Sequence, residues 1–558
     1  MPLNKISVFL KLYKNKQMKH LLSILIIFST LLSFSQKEKK NNVFADAGDA
    51  AKLIVAKQKM LGGQFVAALN SFRELEKNHP NDANILYYIG QCYFSLKQND
   101  KAKEYLIKAI DTKTNVKPES YLTLGKIYQI EENFDKAIEE FNTFKAAPKT
   151  DKESNEDADV LLSQCQNAKK FIANPLDVEV TNLGPDINSK YDDKNPCITA
   201  DGRKLVFTTR RPEGTNDEVD ADGDGKYFED IYISNYDSTN KKFGKADEVP
   251  GSINTKAHDA CTSISPDGKQ IYIYKNDIND KESSGGDIYV SKVNNGKWRS
   301  PEPIGKPIAS SYWEGGACIS PDGKKLFFFS ERDGGLGHSD IYSVEKINKK
   351  EYGKPINLGA PVNSAFDEGG MFLAPDGKTL FFCSNGPASM GSYDVFKTVF
   401  ENGKWSEPVN LGYPINSAAK EGQLTISADA KYAYVSSERK GGLGESDIYK
   451  IDLKDYAILE KDGKRKVSNG LSILKGTIRD GFEGYGMPDI EIILTDDAGA
   501  QIASTTTNEN GEYFFTLKGG NYTISIKKKG FKDISEKIEL KLSTKETIIL
   551  EKGYLLKK

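Results

Sequence analysis

Apolar positions recur with three different periods along the chain. Over residues 44–170 they follow a helical period. In "ILYYIGQCYFSLKQNDKAKEYLIKAI", Leu86, Ile89, Gly90 and Tyr93 fall on one helix face, and Ala102, Leu106 and Ala109 fall on the next. Over residues 176–456 the apolar residues form short runs such as "KKLFFFS", apolar on both faces and opened by an Asp-Gly turn. Such runs predict strands buried on both sides. Over residues 471–552 the period falls to two, as in "GEYFFTL" and "GNYTISI", broken by Gly, Asn and Asp. These patterns predict helix pairs, then stacked four-stranded units, then a small sandwich. A charged linker, 457–470, separates the last two.

Each pattern repeats. Tyr121, Leu124, Gly125 and Tyr128, followed by Ala137, Phe141 and Phe144, restate the helix pair, and Ala68, Phe72, Leu75 and Pro80 give an earlier copy without its glycine. The spacing Ala68–Ala102–Ala137 is 34 and then 35 residues. This resembles the tetratricopeptide repeat, in which small residues let paired helices approach; the resemblance implies a groove for a partner peptide.

The middle region repeats "TADGRKLVFTT", "SPDGKQIYIYK", "SPDGKKLFFFS", "APDGKTLFFCS" and "SADAKYAYVSS", with Asp201, Asp267, Asp322, Asp376 and Asp429 in the turns. Each is followed by a second signature, at Asp230, Asp287, Asp340, Asp394 and Asp447, and several by "PINLG"-like segments. The turn residues read as structural, with Gly supplying positive φ. Spacings near 54 residues with four strand-like runs per unit resemble the WD40-like, TolB-type propeller repeats. The last unit lacks its "EPVNLG" strand, and "VEVTNLG" at 178–184 precedes the first. A strand lent by the N-terminal side would close the ring, so five blades are expected rather than six. The third region, through "GEYFFTL", "GNYTISI" and "KKGF", resembles the carboxypeptidase regulatory-like domain, a sandwich of transthyretin-like strand order.

The expected fold is therefore multidomain: an α-helical solenoid (44–170), a β-propeller (176–456), a linker (457–470) and a β-sandwich (471–552). The order resembles exported Bacteroidetes-type proteins that often end in an OmpA-like domain, one relative being a periplasmic component of type IX secretion. Here the sequence given closes on "EKGYLLKK" without such a domain, which puts peptidoglycan binding by that route in doubt.

The N-terminus adds a location. Lys14, Lys16, Lys19 and His20 lead into "LLSILIIFSTLLSFS", an uncharged stretch of 15 residues from Leu21 to Ser35. That length suits a signal h-region better than a membrane span, so residues 1–35 are expected to be a signal peptide, with Met18 as a second candidate start. The mature chain is then expected in the periplasm or at the periplasmic face of the outer membrane, without a transmembrane segment, among envelope or secretion-system proteins. A net charge of −2 with 28% charged residues argues against a nucleic-acid binder, which needs clustered Lys and Arg. The six Cys form no CxxC pair; Cys197, Cys261 and Cys318 precede the repeated turns and read as buried small hydrophobes.

Candidate chemistry is sparse. There is no GxSxG, HExxH or P-loop. Four His are present, of which His20 lies in the leader, His79 precedes a Pro, and His258 and His338 fall in propeller loops. The expectation is a noncatalytic scaffold; the alternative is a propeller hydrolase acting on peptide or glycan. Arg332 with Asp340, Arg439 with Asp447, and Arg211 with Asp230 recur as pairs, read as loop staples in which Asp binds turn N–H groups. One insertion, residues 215–229, carries "DADGDG". Asp220, Asp222 and Asp224, with the Lys226 carbonyl, form a candidate structural calcium site, although Ile231 stands where an EF-hand needs Glu.

Overall fold

The computed structural model describes residues 47–148, 152–215, 217–219, 225–276, 286–294, 296–348, 351–460, 471–541 and 547–558. The leader expected at 1–35 lies outside the described residues.

Among the described residues seven helices come first: α1 (Ala47–Leu61), α2 (Phe65–Asn78), α3 (Ala83–Ser95), α4 (Asn99–Asp111), α5 (Glu119–Ile130), α6 (Phe134–Ala146) and α7 (Lys152–Ala173). Consecutive helices pack in antiparallel pairs, α3 on α4 and α5 on α6. The repeat residues explain the pairing. A Cβ on Gly90 would come 2.9 Å from the Leu106 side chain, and one on Gly125 would overlap the Phe141 ring. Only Gly lets these helices approach that closely. Ala68, Ala102 and Ala137 are fully buried at the matching places on the second helices. Asp82 starts α3 by accepting the N–H groups of Asn84 and Ile85 at 2.9 and 3.0 Å.

The β-strand body that follows contains five antiparallel sheets. Their first strands are Asp193–Ile198, His258–Ile264, Glu314–Ile319, Glu368–Leu373 and Glu421–Ile426. Each of these packs against the first strand of the next sheet, and the fifth packs back against the first, so the sheets form a closed ring. Every first strand carries a register shift against its neighbour, at Lys194/Cys197, Cys261/Ser263, Glu314/Gly316, Gly369/Phe372 and Glu421/Leu424. A bulge in each of these first strands bends it and raises its local twist.

Ring closure uses the strand that precedes the first sheet. Glu179–Asn182 pairs antiparallel with Asp447–Asp452 of the fifth sheet. Asn182 Nδ2 donates to Asp447 at 2.7 Å, the same bond that Asn357 makes to Asp340 (2.7 Å) and Asn410 to Asp394 (2.6 Å). The borrowed strand thus reproduces a contact that the third and fourth sheets make within one unit. The repeated turns are held by their own side chains: Ser265 Oγ donates to Asp267, which accepts Lys269 N–H at 3.1 Å, and Gly268 takes φ +70°.

The C-terminal sandwich has one sheet of Ser472–Asp480, Glu512–Leu517, Ile549–Glu551 and Tyr554–Leu556, and a second of Glu491–Thr495, Gln501–Thr506, Gly520–Ile526 and Ile534–Leu540. Leu474, Ile478, Ile492, Leu494, Ile524 and Ile526 fill the space between them. It seats on the turn side of the ring. Leu471 and Ile473 join Ala200 and Ala428 in one cluster, Thr516 Oγ1 donates to the Pro375 carbonyl at 2.6 Å, and Lys324 Nζ donates to Ser504 Oγ at 2.7 Å. No described helix is long and apolar enough to cross a membrane.

Candidate protein-interaction surface

The helical repeats gather a mixed aromatic and cationic surface on α1, α3 and the start of α5. The Tyr87 and Tyr88 rings meet edge-on at 5.1 Å. Lys57 Nζ lies 5.0 Å above the Tyr88 ring, and Lys117 Nζ lies 5.7 and 5.4 Å from the Tyr87 and Tyr88 rings. Gln91 Nε2 donates to the Tyr87 hydroxyl at 2.9 Å and to Thr123 Oγ1 at 2.6 Å, tying α3 to α5. Burial pushes the Tyr87 phenol well up, so this hydroxyl is neutral and offers a hydrogen bond rather than a charge. Chemically the surface is a tyrosine pair buried to its edges, 9% and 8% exposed, under two partly buried lysines whose ammonium groups suit a peptide with acidic or carbonyl groups. The sequence reading identified the helices but passed over these residues, because none occupies a repeat-defining position.

The helical region is fixed to the ring through the fourth sheet. Met390 and Ala418 of the ring are buried with Phe134, Ala137, Phe141, Cys165 and Ala168 of the helices. Gln164 Nε2 donates to the Asn385 carbonyl at 2.9 Å, and Asn167 Nδ2 donates to the Pro387 and Ser389 carbonyls at 2.8 and 3.0 Å. Lys97 forms an ion pair of 2.7 Å with Glu438 of the fifth sheet.

The expected Arg–Asp pairs form differently. Arg332 pairs with Glu314 at 3.1 Å, Arg439 with Glu421 at 3.1 Å, and Arg211 with Asp193 at 2.8 Å. Each Arg also donates to a carbonyl of the preceding segment, Ile308 for Arg332 at 2.5 Å and Ile415 for Arg439 at 2.7 Å. Their guanidinium carbons lie 4.7 Å from the Phe328 ring and 5.0 Å from the Tyr449 ring. Asp340 does staple its turn, accepting Leu336 and Gly337 N–H at 2.6 and 3.1 Å. The physical reason for the correction is strand direction: the end of the second strand lies beside the start of the first, where the acid sits fully buried.

That acid was missed, yet a signal existed. A Ser or Thr stands four residues before it in every unit: Ser189, Thr255, Ser310, Ser364 and Ser417. Each donates both its N–H and its hydroxyl to the acid. In the second unit Lys275 takes the place of Arg, 2.7 Å from Asp259. Burial pushes Asp193 and Asp259 up, with Arg211 and Lys275 opposing it.

The histidines are dispersed. His79 bonds Asp49 at 3.1 Å, His258 bonds the buried Glu229 at 2.9 Å, and His338, 86% exposed, lies 3.6 Å from Asp367. Lys194, 2.6 Å away, helps hold Glu229 well below the usual carboxylate range against its burial. Asp220, Asp222 and Asp224 lie outside the described residues. Lys226 is described; its ammonium pairs with Glu445 and lies 3.5 Å from Asp192, anchoring one end of the insertion to the ring. Among the described residues no group of three or more His, Cys, Asp or Glu is placed to hold a metal. All six Cys are buried free thiols; Cys197 and Cys261 sulfurs lie 3.4 Å apart between the first two sheets.

Comparison with known proteins assigns the two ends. Tetratricopeptide repeats match residues 60–127 and 118–144, and the carboxypeptidase regulatory-like domain matches residues 473–551. The chain is 33% identical over 134 residues to the BBSome complex member BBS4 of Bos taurus, covering 23% of this chain and 25% of that protein. It is 28% identical over 125 residues to the serine-aspartate repeat-containing protein C of Staphylococcus aureus (strain Newman), covering 21% of this chain and 12% of the relative. The chain thus spans about a quarter or less of these curated relatives. Among solved structures, the TPR domain of P58(IPK) aligns at 19% identity, covering 23% of this chain and 35% of that one, with a TM-score of 0.21. An alpha-L-arabinofuranosidase from Lactobacillus brevis aligns at 15% identity, covering 49% and 92%, with a TM-score of 0.32. The chain carries tetratricopeptide repeats and a carboxypeptidase regulatory-like domain, joined by a mostly β-strand body, and the repeats point to a protein-interaction scaffold.

Proposed function

We propose that this protein is a noncatalytic scaffold of the periplasm or of the periplasmic face of the outer membrane. Its helical repeats and its ring, a five-bladed propeller of the WD40-like type, gather envelope or secretion-system proteins, while the sandwich spaces the assembly. The observation that carries this reading is the tyrosine pair of α3 under Lys57 and Lys117, held by helices that are themselves bonded to the ring. A recognition surface on a rigid support loses little freedom when it binds. The likeness of the repeats to a member of a multiprotein complex supports the same reading.

Cross-linking in the native envelope tests it. Partners captured by the wild type are expected to be lost with Lys57→Ala/Lys117→Ala and kept with Lys404→Ala on the ring. Capture unchanged by the α-helical substitutions overturns the reading. A hydrolase screen on peptide and glycan substrates is expected to show no turnover; turnover abolished by His258→Ala or His338→Ala would replace the scaffold with an enzyme.

A further inference from the structure

The sandwich ends away from the ring in a tip that the scaffold reading leaves unused. Its contacts with the ring come from Leu471, Ile473, Ser504, Glu512 and Thr516. The tip is built from other segments: the turn 480–486, the turn 527–532 and the last strand. Gly481 N–H donates to the Leu556 carbonyl at 2.8 Å and Lys532 N–H to the Lys557 carbonyl at 2.8 Å, so all three segments meet.

The tip is apolar at its point. Phe482 is 95% exposed, Tyr485 51% and Leu555 54%. The exposure of Phe482 is imposed by a well-bonded turn. Asp480 Oδ1 accepts the N–H groups of Phe482 and Glu483 at 2.8 and 2.9 Å, Asp480 N–H donates to the Tyr485 carbonyl at 2.9 Å, and Gly484 takes φ +77°. A large aromatic ring held outward on a convex turn has no pocket of its own to fill, and exposed apolar groups so placed mark contact sites.

The tip is also basic. Lys528, Lys529, Lys532 and Lys557 are exposed, and none has an ion-pair partner among the described residues; Lys527 faces Asp533 at 3.7 Å. Of the two acids in the turn, Asp480 is buried on the turn's own N–H groups and Glu483 is exposed beside Phe482. Apolar side chains projecting from a collar of lysines fit an interface in which hydrocarbon lies behind a negatively charged layer. We infer that this tip docks on an anionic phospholipid surface, Phe482 and Leu555 entering the headgroup boundary while the lysines meet the phosphates.

Vesicle co-sedimentation tests the docking, using the chain from Gln36, which keeps every described residue and removes the apolar stretch 21–35. Binding is expected to vesicles of phosphatidylcholine mixed with phosphatidylglycerol, to fall with added salt, and to be absent on phosphatidylcholine alone. Lys528→Gln/Lys529→Gln/Lys532→Gln is expected to weaken it about a hundredfold, from the field acting on each lysine near the surface. Phe482→Ser is expected to weaken it about tenfold. Both variants alter exposed side chains, and an unchanged melting temperature verifies their fold. No binding to the mixed vesicles, or equal binding to both kinds, overturns the inference. Binding that needs the lysines but not Phe482, and that heparin shares, reassigns the tip to a soluble polyanion and overturns it too.

Discussion

The third and fourth sheets of the ring share a plan and differ in what faces the buried acid. In the third, Arg332 lies on the buried Glu314 and reaches back to Ile308. In the fourth, "SNG" stands where the third has "SER", so Gly386 replaces the Arg; among the described residues no cation pairs with Glu368, which Ser364 and Ser384 hold instead. The loop that lost its Arg is the one that receives Gln164 and Asn167 of α7 and buries Met390 among the helices. The repeat's residues maintain the repeat, and a unit departs from them where the ring has acquired a neighbour. A buried carboxylate without its cation is tolerated there because three donors still satisfy it.

The largest way to break this comparison removes what both sheets depend on, the closed ring. Deleting residues 176–184 takes away the strand on Asp447–Asp452 and the Asn182–Asp447 bond. The ring's cooperative denaturant transition is expected to disappear, whereas deleting nine residues within 461–470 leaves the midpoint nearly unchanged, since Ile458, fully buried in the ring rather than part of a linker, is kept. Equal melting of the two would refute shared-strand closure.

Next, Met390→Ala in the fourth sheet empties a fully buried site at the helix junction. The expected loss is about 2–5 kcal/mol. Earlier proteolytic release of the helical region should accompany it, which no change in the third sheet produces. In the third sheet, Arg332→Ala leaves Glu314 with the donors that Glu368 has, the Ser310 N–H and hydroxyl and the Ser330 hydroxyl. A loss of about 1.5–3 kcal/mol is expected, that of one hydrogen bond to a charged group. The double variant Arg332→Ala/Glu314→Gln is expected to recover part of it, measured by urea denaturation.

A smaller effect comes from pH. Burial pushes Glu368 above the ordinary glutamate value. An acid raised in the folded state adds stability below its unfolded pKa and loses that contribution as pH rises through the folded value. Wild type is therefore expected to lose stability relative to Glu368→Gln as pH rises from the ordinary glutamate value upward. Parallel curves for the two proteins would show that Glu368 is not raised. The smallest expected signal concerns the acidic insertion, where calcium titration calorimetry should show heat in the wild type and none in Asp222→Ala.

Much of this architecture was legible because it is periodic. Helical spacing with Gly and Ala at close-approach positions determined the helix pairs, since only small residues allow those axes to approach. The Asp-Gly turns, the doubly apolar runs and the displaced "VTNLG" determined the sheets and the source of the closing strand. The sequence also held the Ser-to-acid spacing of four, but not the partner of that acid. Arg332 and Asp340 are eight residues apart and share a recurring motif, whereas Arg332 and Glu314 are joined only when antiparallel strands set the end of one beside the start of another. The tyrosine pair under two lysines, the seat of α7 on a loop more than two hundred residues away, and the outward Phe482 were likewise decided by tertiary structure. Each rests on which surfaces remain after the repeats have buried their own, and a local pattern carries no record of that.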